Sequence, residues 1–279
     1  MKQIITPARS GILKSFQSGR RGAVEAFVLL LTFLAFPVHA GAQETEESQT
    51  LLGDFFKEHN IDFSAGGTLD YFDKYVWRGQ YLDKDSVLQP GFSLSAKGLT
   101  FGYWGSYDME NQDALASDES DYYVSYSRGW EPFTFTVGHT WYDFPEGNTS
   151  SKEFFLTVAW DTFLAPTLTY THDYEDGKDL NTDKDGNYWA LGVSHSIPVV
   201  EKYGITLDLA GSVGFVDGQW LSGEGGHFTP TVGLKLPLSD SITMTPTMGY
   251  NVPFGDLSDD NIGNQDEEFF GGVKVAFAM

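Results

Sequence analysis

The last stretch of the chain alternates between two kinds of residue. Phe269, Gly271, Val273, Val275, Phe277 and Met279 fall on one phase, and Phe270, Gly272, Lys274, Ala276 and Ala278 on the other. A period of two sends successive side chains to opposite faces of a strand, and about ten residues are enough for a tilted strand to cross a bilayer. The pattern predicts a transmembrane strand with its aromatic phase toward lipid, placed as the closing strand of an outer-membrane barrel. The same grammar begins at Ile61, where Ile61, Phe63, Ala65, Leu69 and Tyr71 oppose Asp62, Ser64, Gly66, Thr68 and Asp70. It returns near 92–97, 99–107, 122–126, 133–141, 154–160, 167–171, 189–197, 205–215, 228–236 and 242–250. With the first and last strands that makes twelve, an even number as bacterial single-chain barrels have.

The connections carry an independent signal. Those at 97–98, 130–132, 161–166, 198–203 and 237–241 are short, and those at 73–86, 108–120, 143–152, 173–187, 217–227 and 252–267 are longer and rich in charge. Short periplasmic turns alternating with long extracellular loops are the arrangement of a transmembrane barrel. A soluble sandwich also alternates along its strands, but it does not explain the loop rhythm. Trp77, Trp141, Trp189 and Trp220 lie near long loops and Trp130 and Trp160 at short turns, where interfacial aromatic girdles belong. The expected fold is therefore all-β: a closed antiparallel transmembrane β-barrel of 12 strands over residues 61–279.

The start of the chain gives an address. Lys2, Arg9, Lys14, Arg20 and Arg21 precede an apolar run over 26–38 and then Ala40-Gly41-Ala42, the order of a secretory signal peptide covering residues 1–42. The apolar run is too short to span a bilayer as a helix. Residues 43–60 form a periplasmic leader in which Leu51, Leu52, Phe55 and Phe56 fit one face of a short amphipathic helix; a leader without fixed structure is the alternative. Cleavage removes five basic residues and one acidic one from a chain of formal net charge -22, leaving -26. Such a balance excludes a nucleic-acid partner, whose phosphates need Lys and Arg. Cysteine is absent, and a closed barrel needs no disulfides because it has no open edge. The mean hydropathy of -0.25 resembles that of a soluble protein because only alternate barrel residues meet lipid.

Candidate chemistry sits on the inward phase. Lys74 and Arg78 continue the phase of Asp62 and Asp70 along the first strand, and Asp208, Lys235 and Lys274 fall on inward phases later. Arg78 either pairs with a loop carboxylate and shapes the mouth or stands free in a selectivity constriction. The loop segment Asn181-Thr182-Asp183-Lys184-Asp185-Gly186 matches the early part of a calcium loop, with Asn181, Asp183 and Asp185 as oxygen ligands; Gly192 stands where the closing bidentate Glu belongs. A solvated hydrophilic loop is the other reading. The carboxylates of Asp256, Asp259, Asp260, Asp266, Glu267 and Glu268 suit divalent cations that bridge anionic lipid head groups. No nucleophile signature occurs. Ser194 and Ser196 flank His195, but neighbouring strand residues point to opposite faces, so a lipid hydrolase is the weakest reading and no catalytic residue is assigned.

The stretch Tyr71-Phe72-Asp73-Lys74-Tyr75-Val76-Trp77-Arg78-Gly79, with Gly91-Phe92 and Phe101-Gly102-Tyr103-Trp104-Gly105-Ser106, resembles the TorF-type porin family of Gram-negative outer membranes. The family's first hairpin carries a Ser-x-Tyr-Val-aromatic-Arg-Gly pattern, and here Asp73 stands in place of its Ser. The likeness covers about residues 61–110. It implies a porin-like barrel and supplies no catalytic residues. Together these readings predict a passive outer-membrane channel for small hydrophilic solutes, preferring cations or neutral molecules. Its expected partners are outer-membrane lipids, lipopolysaccharide and the barrel assembly machinery. A non-conducting barrel with a surface-binding or structural role is the alternative.

Overall fold

The computed structural model describes residues 63–110, 118–145, 149–174, 185–219 and 224–278. The signal peptide, the leader, Asp62, Asn181, Asp183 and Trp220 lie outside the described residues. Strand β1 (Phe63–Phe72) is followed by a small hairpin, β2 (Tyr75–Trp77) and β3 (Gln80–Asp83). Next come β4 (Val87–Ala96), β5 (Leu99–Asp108), β6 (Asp118–Trp130), β7 (Phe133–Phe144) and β8 (Thr149–Trp160). The remainder is β9 (Thr167–Asp173), β10 (Gly186–Val200), β11 (Ile205–Asp217), β12 (Glu224–Pro237), β13 (Ile242–Gly255) and β14 (Glu268–Ala278). β1 pairs antiparallel with both β4 and β14, and the other neighbours pair in sequence, so twelve strands close into a barrel. β2 and β3 pair only with each other, in a two-stranded sheet of their own.

The alternation read from sequence is the alternation between lipid and lumen. Phe101, Phe154 and Phe215 are 56%, 55% and 54% exposed on outward phases, a cost in water that a bilayer removes. Around the short turns the inward positions carry hydroxyls that bond across strands, as in Ser95–Thr100 and Ser127–Thr136 at 2.8 Å and Thr157–Thr169 at 3.1 Å. Higher up, several inward rings lie over the glycine directly opposite on the next strand. Tyr123 covers Gly102, Phe155 covers Gly138 and Phe270 covers Gly249, and a Cβ at any of these glycines would collide with the ring. Large side chains thus lie along the wall over the neighbouring glycines.

Two expectations need correction. β1 ends at Phe72, so Lys74 and Arg78 are not on the first barrel strand; they belong to the segment of the β2–β3 hairpin. The loop-length rhythm also fails at one point. The β7–β8 connection is only 145–148, because β6, β8 and β10 begin at Asp118, Thr149 and Gly186. Ladder hydrogen bonds do not require apolar side chains, so these strands extend above the lipid-facing band with Glu119, Asp121, Ser151 and Glu153 turned inward and buried. Apolar periodicity marks only the part of a strand that meets lipid.

Candidate functional site

The hairpin is built by its two-residue turn. Trp77 pairs with Gln80, leaving Arg78 and Gly79 as the turn residues with φ of 49° and 82°, the two positive values of a type I′ turn. An arginine in that conformation costs on the order of 1–3 kcal/mol and persists only where its surroundings hold it. Gly79 has no substitute. A side chain there would be strained by φ and would run into His227.

Around the closed barrel, β10 lies about opposite β1 and β4, the two strands between which the hairpin arises. The hairpin tip crosses that distance. Arg78 Nη1 and Nη2 donate to Glu153 Oε2 and Oε1 on β8 at 2.6 and 2.8 Å. Nη1 also donates to Gln219 Oε1 at 2.6 Å. Gln219 Nε2 donates to Glu153 at 3.2 Å, and the Tyr142 hydroxyl donates to Glu153 at 3.3 Å. The guanidinium lies 4.2 Å from the ring centroid of Trp77 and 4.6 Å from that of Tyr188, held by two aromatic rings. Burial alone would lower the pKa of Arg78; Tyr142, Glu153 and Tyr188 outweigh it, and the pKa lies above its ordinary value. Gly79 O accepts from Asn251 Nδ2 of β13 at 2.9 Å. Asn251 accepts from Thr229, Thr229 pairs with His227, and His227 pairs with the Tyr188 hydroxyl at 2.9 Å. The tip is thus bonded to β8, to the segment that follows β11 and to β13.

The base of the hairpin is apolar. Phe72, Tyr75 and Val87 form a buried cluster joined by Trp77, Leu82, Trp104 and Phe270. Burial, and after it the neighbouring carboxylates Glu119 and Asp121, push the Tyr75 hydroxyl well above its usual range. It stays protonated and donates to Glu119. Tyr81 is anchored through its N–H to Gln265 at 2.8 Å and through its hydroxyl to Glu268 O at 3.2 Å; burial pushes it up to about 12.

The residues singled out from sequence fall in several places. Arg78 is the tip of the hairpin, and its partner Glu153 is on the barrel wall, not in a loop. Lys74 stands at the rim, donating to Phe269 O at 3.2 Å with Asp73 and Glu268 at 3.7 and 3.8 Å. Asp70 faces the lumen and accepts from Val275 N at 3.2 Å, and Lys274 shares a cavity with it while lying 5.7 Å from the Phe72 ring. Asp208 accepts from Thr206 at 2.8 Å, and Lys235 is the cross-strand partner of Thr206. Asp185 approaches His172 at 3.8 Å; among the described residues no group of three or more potential metal ligands occurs. Trp77 is not in the outer girdle expected for it, because it packs inside against Arg78 and Tyr142. His195 pairs with Phe163 O at 2.9 Å. Glu153, Gln219, His227 and Asn251 were missed. Glu153, His227 and Asn251 each carried one signal, a large polar side chain on the inward phase just past the apolar part of a strand; Gln219 lies beyond the end of β11 and carried none.

A closed antiparallel barrel with an apolar exterior and a hairpin-crossed lumen defines a transmembrane β-barrel protein. The chain belongs to the Gcw_chp family, described as bacterial proteins of unknown function, whose model matches residues 59–248. The solved NanC porin is similar at 11% identity and a TM-score of 0.49, over 78% of this chain and all of that one. The COG4313 outer membrane channel from Pseudomonas putida F1 is similar at 8% identity and a TM-score of 0.47, over 78% of this chain and 95% of that one. No curated protein sequence matches.

Proposed function

We propose that the protein is a porin-like channel in the outer membrane of a Gram-negative bacterium, passing small hydrophilic solutes by passive diffusion through a lumen narrowed by the β2–β3 hairpin. The observation that carries this is the clasp of Arg78 on Glu153 and Gln219, which holds a hairpin across a lumen whose wall carries hydroxyls, glycines, aromatic rings and charged groups. A hairpin in that position limits what passes by size, as constrictions in wider barrels do. The inward carboxylates Asp70, Asp121, Asp173 and Asp208 favour cations over anions, and Lys235 and Lys274 offset them in part. The resemblance of residues 61–110 to TorF-type porins supports the same reading. In it, residues 1–42 direct export and are removed, residues 43–60 lie in the periplasm, and the barrel assembly machinery inserts residues 61–279 among outer-membrane lipids and lipopolysaccharide.

The test is single-channel recording of the refolded protein in a planar bilayer, with reversal potential under a KCl gradient. Stepwise conductance with a cation-selective reversal potential is expected. A folded barrel that stays silent, even after the hairpin latch is removed by mutation, overturns the channel and leaves the non-conducting barrel.

A further inference from the structure

Beneath the hairpin the lumen holds a cavity of about 510 Å³, a volume typical of small-molecule sites. Asp121 of β6 lines it, and the direct cross-strand partners of Asp121 are Trp104 on β5 and Tyr142 on β7. The hairpin adds Tyr75, whose ring centroid is 5.5 Å from that of Trp104. Three aromatic side chains therefore gather around one carboxylate. Asp121 is hydrogen-bonded to Glu119, which also receives the Tyr75 hydroxyl, so the two carboxyl groups share one proton and carry a single negative charge between them. Its other oxygen, Oδ1, is buried without a hydrogen-bond partner.

An acceptor left in that state is costly unless something donates to it, and the neighbouring cations are committed elsewhere. Arg78 is bound to Glu153; Lys74 and Lys274 also line the cavity, Lys74 lying against Phe269 O, Asp73 and Glu268 and Lys274 over Phe72 beside Asp70. Aromatic faces attract a weakly hydrated cation through their quadrupoles, and a carboxylate among them adds charge. We propose that this cavity is a binding site for small organic ammonium solutes, with the cationic group held among Trp104, Tyr75 and Tyr142 and against Asp121. The assignment rests on reading the lumen as a solute path and names the class of solute that pauses there.

The experiment is titration of choline chloride into the folded protein in detergent micelles, at matched ionic strength, read by tryptophan fluorescence and calorimetry. Saturable binding is expected, weakened about tenfold or more by Asp121→Asn and by Trp104→Leu. Glucose gives no signal, and Asp240→Asn, in the exposed turn between β12 and β13, leaves the affinity unchanged. Heat-modifiable migration on gels establishes that each variant is folded. Tyr75→Leu, on the hairpin and outside the barrel wall, replaces any variant that is not. Absence of saturable choline binding by the folded wild type, or equal affinity in Asp121→Asn, overturns the site. Binding is read without a membrane, so a silent channel that still binds choline removes the channel reading and leaves the site standing.

Discussion

Removing the Arg78 side chain is the sharpest perturbation of the hairpin. Arg78→Ala deletes both bonds to Glu153, the bond to Gln219 and the contacts with Trp77 and Tyr188. The side chain of Glu153 is 3% exposed and that of Arg78 11%, so little solvent screening applies. Breaking a buried pair by removing one partner costs about 3–5 kcal/mol, because the remaining charge is left uncompensated. Glu153 keeps hydrogen bonds from Gln219 and Tyr142, which places the loss toward the lower end. At about 1.4 kcal/mol per decade, roughly 3 kcal/mol moves the equilibrium between latched and released hairpin by about two orders of magnitude. Single-channel recording should register longer or larger openings, and a protease added on the loop side should cut the 73–86 segment faster. Glu153→Gln should do the same more weakly. In the double variant the effects should fall well short of additive, since the two residues act as one unit. Unchanged conductance and unchanged protease access in both single variants would refute the latch.

Other perturbations separate the parts of this arrangement. Gly79→Ala should release the tip as Arg78→Ala does, because the new Cβ meets His227 at a backbone φ of 82°; conductance recordings check it. The Tyr75 hydroxyl is held above its ordinary value of 10.0, so the folded hairpin binds that proton more tightly than the released one. Its contribution is complete below about pH 10 and is lost as the pH climbs beyond, and openings should become more frequent on that alkaline side only. Gly138→Val should lower the urea midpoint of the barrel by displacing the Phe155 ring, at a cost of about 1–3 kcal/mol. Gly192→Val, whose added Cβ has nothing closer than 4.0 Å, should be nearly neutral.

Much of this protein is legible in its residues alone, and the physics says which part. A barrel strand meets lipid on one face and the lumen on the other, so side-chain polarity must alternate. Twelve such runs, read from Ile61 to Met279, could be counted without coordinates. The type I′ turn at Lys97-Gly98, where φ is 51° and 84°, is equally local. The hairpin marks where that reading stops. Tyr75-Val76-Trp77 continues the apolar texture of the first strand, and nothing in a one-dimensional pattern distinguishes a strand that continues along the wall from one that turns inward. That choice depends on Glu153, Gln219, His227 and Asn251, which lie 75 and 141 residues from Arg78 in the first two cases and 172 residues from Gly79 in the last. They become neighbours only when the barrel closes and brings β8, β12, β13 and the segment after β11 within a hairpin's reach. Alternation and turn chemistry are local properties that the sequence determines by itself. The latch, the aromatic surroundings of Asp121 and the lumenal position of Trp77 depend on closure, because only the closed sheet places distant strands on opposite sides of one lumen.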